Sequence, residues 1–257
     1  MELDPQDRAQ LQHKIDALLT QQRELVERLG RGQDYFLHLA RSVWHVQEEE
    51  RRRLARELHD GIGQNLTAIM HLVDLVLGEA RGTAHERLEK ARDLVVATLA
   101  ETRALSRQLR PQVLDDLGLA AALDWLARTF RESHALDVRL DLAENAATLD
   151  GDAATLVFRV VQEALTNVVR HADARCVEIG LRCAAERVLL ALRDDGRGCD
   201  PKHALAAGTG GRGSGLGGMR DRVRLFGGEL RIESAPGSGF AIFIEFPLAQ
   251  GGKERTS

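Results

Sequence analysis

The feature that most constrains this chain is a change of period at Pro111. Between Tyr35 and Leu109 apolar residues recur at helical spacing with an interruption at Gly78 and Gly82, whereas past Pro111 short alternating runs are interleaved with helical ones. A proline pushes the residue before it out of the helical region, so the second helix ends there and a domain boundary is expected nearby. At about 100° per residue, Leu54, Leu58, Ile62, Leu66, Ile69, Val73 and Val76 form one stripe of the first long helix, which runs to Leu77. Thr83 followed by Glu86 reads as a capping box opening the second helix. The seam of that helix is Leu88, Ala91, Val95, Thr98 or Leu99, Thr102, Leu105 and Leu109. One hairpin has too little partner surface to bury both seams, so a homodimer forming a four-helix bundle is expected.

Upstream, Leu11, Ile15, Leu18, Gln22, Leu25 and Leu29 alternate steps of four and three. This heptad seam fits a short parallel coiled coil, with a single amphipathic helix as the alternative. Downstream, the patterns predict helices over 117–130, 152–172 and 216–226, and strands over 137–142, 176–182, 187–193, 229–234 and 240–246. The last two strands form a hairpin through Pro236-Gly237-Ser238-Gly239. Strands and helices in this order predict an α+β chain: a helical-hairpin dimerisation domain, then an α/β sandwich with a mixed sheet and helices on one face. The divisions are 1–33 coiled coil, 34–112 dimerisation domain, 113–248 sandwich domain and 249–257 disordered tail.

Bulk properties narrow the function. A net charge of -4 gives no basic footprint for nucleic acid. No apolar run approaches the roughly 18 to 20 residues of a membrane span, and no signal peptide is evident, so a cytoplasmic chain, or the cytoplasmic part of a membrane receptor, is expected. Cys176, Cys183 and Cys199 are odd in number and lack C-x-x-C spacing, which suggests reduced thiols and neither a disulfide framework nor a zinc site.

Four stretches carry chemistry. Arg53-Leu54-Ala55-Arg56-Glu57-Leu58-His59-Asp60-Gly61-Ile62-Gly63-Gln64 lies inside the first long helix, and His59 falls roughly 75° off the centre of its apolar stripe. There an imidazole is accessible as a nucleophile, Asp60 stands beside it, and Gln64 is one turn on from Asp60. Gly61 and Gly63 each cost about 1 kcal/mol in a helix interior relative to alanine, which suggests a bend or a close approach by another domain, a local helix break being the plain reading. In the helix over 152–172, Glu163, Asn167, Arg170 and His171 share a polar face. A solvated face explains that spacing, but Asn167 also offers a neutral oxygen to hydrated Mg²⁺, with Arg170 and His171 one turn on for phosphate. Asp194-Asp195-Gly196-Arg197-Gly198 follows a strand. It reads as a tight turn or as a carboxylate accepting a hydrogen bond from an exocyclic amine such as that of adenine, with Gly196 and Gly198 allowing close backbone approach. Finally, Gly213-Ser214-Gly215-Leu216-Gly217-Gly218-Met219 feeds a helix N-terminus, which suits phosphate.

Together the last three stretches resemble the ATP-binding domain shared by histidine kinases, gyrase, MutL and a heat-shock chaperone. No Walker-type lysine loop is present. With the E-L-H-D-x-x-x-Q stretch and Leu109-Arg110-Pro111 before Leu114-Asp115-Asp116-Leu117-Gly118-Leu119, residues 45–248 resemble a two-component sensor histidine kinase of the subgroup partnered by NarL/LuxR-type response regulators. The resemblance implies that ATP and Mg²⁺ are bound and that His59 is the phospho-acceptor. It also implies Asn167 as Mg²⁺ ligand, Asp194 as the adenine-recognising carboxylate, and Gly213, Gly215, Leu216 and Gly218 as part of the ATP lid. Glu163, Arg170 and His171 fall on family motif positions, with Glu163 expected in a catalytic role. Gln64 is expected to serve dephosphorylation of the receiver.

Overall fold

A computed structural model describes residue 32 and residues 35–147, 149, 151–184, 186–200 and 215–248. The heptad seam of 8–29, Gly213 and the tail past Gln250 lie outside the described residues. The chain divides into two compact units, Met1–Glu48 and Glu49–Ser257. In the first, residues 35–48 are helical.

The second unit opens with a helix over 49–56 that continues through a π-helical segment, Glu57–Gly63, into α1, Gln64–Leu77. A turn at Gly78–Gly82 leads to α2, Thr83–Leu109. The capping box is not formed. Gly82 takes the cap position at φ 59°, a backbone conformation that suits glycine, and Thr83 is already the first helical residue. The two helices meet along Leu99 and Thr102, both buried, and Ser106 Oγ donates to the Ala55 carbonyl at 3.0 Å. The expected first-helix stripe splits. Leu54, Leu58, Leu66 and Val73 are half-buried, whereas Ile62, Ile69 and Val76 stay exposed in the protomer. Likewise Ala91 and Leu105 of the second seam face outward while Ser106 takes a buried place.

Beyond Pro111 come α3, Gln112–Asp116, and α4, Gly118–His134, longer than expected by one turn at its end. Then follow β1, Asp137–Leu142; α5, Glu144–Ala147; α6, Gly151–Asn167, which ends in a second π-helical segment, Val168–Ala172; β2, Cys176–Ala184; and β3, Arg187–Asp194. The chain closes with α7, Leu216–Leu225; β4, Glu229–Ser234; and β5, Phe240–Pro247. The five strands lie in the order β1-β2-β3-β5-β4. β1 runs parallel to β2 and the other pairs are antiparallel, with Ile179 opposite Leu192 and Leu190 opposite Ile244.

Period-two alternation sends Val177, Ile179, Leu181, Val188, Leu190, Leu192, Ile242, Ile244 and Phe246 to one face, where they are buried against α4, α6 and α7. The opposite face is polar, with Arg193 and Arg231 stacked over Phe243 at 5.3 and 4.7 Å from its centroid. The sandwich is as expected, but α6 is more central than an amphipathic helix. Ala154 to Val161 are buried all round, and only its last turns present polar groups. Leu156, fully buried at the middle of α6, therefore has no room to be lost cheaply. Leu156→Ala is expected to cost about 2 to 5 kcal/mol of stability in urea unfolding.

Candidate functional site

The polar end of α6 meets the end of β3 at a cleft of about 410 Å³. Its walls are largely apolar, from Ala164, Val168, Val177, Leu192 and Ile242, and its polar lining includes Asn167, His171, Asp194, Arg193 and Arg197, with Gly215 and Leu216 at one margin. An apolar cleft with a few convergent polar groups suits a flat, heteroatom-bearing ligand.

The two adjacent carboxylates at the β3 end have opposite tasks. Asp195 is exposed and accepts hydrogen bonds from the backbone N–H groups of Arg175 and Cys176 at 2.8 and 2.9 Å, which hold its carboxyl below the usual carboxylate range and fasten the start of β2. Asp194 is half-buried in the cleft wall. Burial pushes its carboxyl up, the neighbouring Asp195 charge adds to this, and the Gly196 N–H, donating at 2.9 Å, only partly opposes it. A buried acceptor of this kind is satisfied by a ligand donor.

Glycine is required behind Asp194. A Cβ on Gly196 would stand 2.4 Å from the Ala172 carbonyl oxygen and 2.9 Å from the Asp194 carboxylate. A Cβ on Gly198, at φ 60°, would stand 2.1 Å from the Ala235 carbonyl. Here the close backbone approach is by the protein's own chain: Arg197 N–H donates to the Ala172 carbonyl and Gly237 N–H to the Arg197 carbonyl.

On α6, Glu163 accepts a hydrogen bond from the Gly215 N–H at 2.9 Å and so ties the start of α7 to the helix carrying Asn167. The Asn167 amide nitrogen is buried without a hydrogen-bond partner, leaving capacity for a ligand oxygen. Among the described residues no group of three or more His, Cys, Asp or Glu side chains could hold a metal alone. A divalent cation at Asn167 would therefore need phosphate oxygens and water to complete its shell, which is how Mg²⁺ is usually held.

His59 is exposed on the π-helical segment and opens a second groove of about 380 Å³ with Gln64, Thr67 and His71 on its own helix and Thr102 and Arg103 on α2. Asp60 is exposed and outside that groove, and among the described residues the ring-to-carboxylate hydrogen bond is not formed. Gly61 and Gly63 neither break the helix nor admit another part of this protomer. Nothing lies within 4 Å of a Cβ on Gly61, and the segment is instead widened.

The structure thus brings Asn167, His171, Asp194, Gly198, Gly215 and Leu216 to one cleft. Glu163 joins them through Gly215, and Gly196 supports Asp194 from behind. Arg170 is exposed and Gly218 sits inside α7, neither lining the cleft. Val177, Phe240 and Ile242 were missed by sequence reasoning, because an inward strand residue that lines a cleft has the same alternation as one that fills the core.

The raised Asp194 carboxyl gives a signed expectation. Its folded form holds a proton to higher pH than its unfolded form, so ionised Asp194 weakens the ligand-free fold above its folded pKa and does not below its unfolded one. Asp194→Asn should raise the thermal midpoint of the ligand-free protein at neutral pH, and the gain should fade on acidification through the folded pKa. Melting curves from neutral to acid pH check this.

Two family models match the chain: "Histidine kinase" over residues 50–114, and "Histidine kinase-, DNA gyrase B-, and HSP90-like ATPase" over residues 151–250. Three similar proteins are sensor histidine kinase MctS of Rhizobium johnstonii, ComP of Bacillus subtilis and the oxygen sensor histidine kinase NreB of Staphylococcus carnosus. Their identities are 39%, 33% and 33%, over 77%, 82% and 79% of this chain. The chain spans only 43%, 28% and 58% of their lengths. With the histidine-bearing hairpin and the ATPase sandwich each matched in place, the chain belongs to the sensor histidine kinases.

Proposed function

We propose that this chain transfers the γ-phosphoryl group of ATP to His59 and from there to an aspartate of a NarL/LuxR-type response regulator. The observation that carries the reading is the half-buried Asp194 carboxylate in an apolar cleft whose polar rim includes the unpartnered Asn167 amide. Asp194 accepts the adenine amine, and Val177, Leu192 and Ile242 exclude water from the base. His171 and the free backbone amides at the start of α7, from Leu216 on, receive the phosphates. Asn167 would hold Mg²⁺, which would supply positive charge against the phosphates. Glu163 acts from the α6 side of this end, holding the start of α7 through Gly215.

In the hairpin, a neutral ring nitrogen of His59 attacks the γ-phosphorus as the bond to the bridging oxygen breaks and ADP leaves. Asp60 turns to hold the proton on the other ring nitrogen and stabilises the imidazolium that develops. The phosphoryl group then passes to the receiver aspartate. Homodimerisation through the hairpin is supported by its outward apolar residues, among them Leu72 at 63%, Leu75 at 71% and Leu94 at 69% exposure. We place the 34–112 dimerisation and 113–248 catalytic divisions on the same reading, with the reaction in the cytoplasm. No helix among the described residues is long and apolar enough to cross a membrane.

Incubation with γ-labelled ATP and Mg²⁺ should give an acid-labile, alkali-stable phosphate that His59→Gln abolishes while nucleotide binding by calorimetry is retained. Undiminished labelling of that variant would refute the assignment. Gln64, beside His59 in the groove, is proposed to orient water on the receiver's aspartyl phosphate. Gln64→Ala should keep self-labelling within a few-fold and slow decay of a phosphorylated receiver by about tenfold or more. Equal decay with parent and variant would reduce Gln64 to a surface residue.

A further inference from the structure

Asp115, on the short helix α3, sits where three elements meet. Its carboxylate accepts Arg52 Nε and a terminal guanidinium nitrogen at 3.2 and 2.8 Å, and Arg110 Nε and a terminal nitrogen at 3.1 and 2.9 Å. Arg52 belongs to the helix of His59, two turns before it, or roughly 10 Å along the axis. Arg110 is 5% exposed, and its guanidinium continues to Thr155 Oγ at 3.3 Å on α6, the helix that ends in Asn167. A second buried guanidinium from α6, Arg159, donates to the Leu109 carbonyl at 2.6 Å and to Gln162. Burial alone would push the Asp115 carboxyl up, but the hydrogen bonds of Arg110 and Arg52 outweigh it and hold the group below its ordinary value. Arg52 has a further, exposed partner in Glu49 at 3.3 Å.

This polar chain is a charged connection between the histidine-bearing helix and the catalytic helix. Among the described residues, the groove of His59 is lined only by the hairpin and the cleft of Asp194 only by the sandwich, so in this arrangement the two do not share a wall. We infer that Asp115 is a positioning residue for phosphoryl transfer: by bridging Arg52 and Arg110 it clips the sandwich to the hairpin with His59 outside the cleft, and release of the clip speeds transfer to His59. The inference rests on the reading of His59 as acceptor and deepens it. Arg110 and Arg159 fix the linker to α6 from within, and Arg52 is the arm that opens, being half-exposed and on the hairpin side.

The test uses the full chain with three variants, Arg52→Gln, Asp115→Asn and the two combined. Arg52→Gln leaves the Arg110 to Asp115 contact in place, so the sandwich keeps its support. The turnover of self-labelling should rise about three- to tenfold in each, with KM for ATP unchanged. The double variant should match Asp115→Asn alone, since Asp115→Asn already removes the Arg52 contact that Arg52→Gln removes. A rate unchanged or lowered by Arg52→Gln, in a parent that labels His59, overturns the clip. A separate readout does not depend on labelling. Spin labels at the exposed Glu79 and Glu229, with the three cysteines replaced by serine, should give a broader distance distribution in Arg52→Gln than in the parent. An unchanged distribution overturns the clip, whereas a parent that never labels His59 but broadens on substitution overturns only the reading of the acceptor.

Discussion

The backbone contact between the end of β3 and the end of α6 is the constraint on which the sandwich and its cleft depend. Arg197 N–H reaches the Ala172 carbonyl at 2.8 Å only because residue 196 has no side chain to stand between them. That contact brings the last turn of α6, with Asn167 and His171, against the strand end that carries Asp194. Asp195 completes the corner by holding the first amides of β2. Two neighbouring carboxylates are thereby separated in character: one is satisfied by backbone and faces solvent, the other is left in an apolar wall with acceptor capacity to spare. A methyl group at Gly196 would push apart the elements that make the cleft and crowd the carboxylate itself.

The hairpin follows a different economy. Within a protomer its contact line is narrow and partly polar, from Ser106 against Ala55 to Arg92 against Asp74, and much of its apolar surface points away from the chain. Burying even one such leucine is worth about 1.5 to 3 kcal/mol, so an outward row of them leaves a surface whose covering would be favourable. The sandwich, by contrast, closes its own core around Leu156, Phe158 and Phe246 and leaves mixed charge outside.

Most of the sandwich was legible because strand alternation and helical period are local signals. β1 and β4 fall on their expected residues, and β2 and β3 extend theirs by one or two. What was not legible depended on the third dimension. Arg159 is a charged residue inside the buried run of α6, with the linker carbonyl of Leu109 and the Gln162 side chain beside it, an arrangement no local pattern announces. The Thr83 cap failed because Gly82 could take a positive φ that no side chain disputes. Asn167, Asp194 and Gly198, singled out by their chemistry, line one cleft, while the apolar residues that wall it were hidden among core residues of the same type.

The widened segments at Glu57–Gly63 and Val168–Ala172 have a mechanical consequence. A turn holding one residue too many can hand the surplus to its neighbour, exchanging one i→i+5 hydrogen bond for one i→i+4 bond at each step. Every side chain such a dislocation passes swings by a fraction of a turn, and the helix can bend where the surplus sits. His59 lies within one of these dislocations and the polar end of α6 within the other. Both can therefore re-aim locally, so a change of direction at His59 or at the polar end of α6 does not have to be carried by whole-domain movement alone.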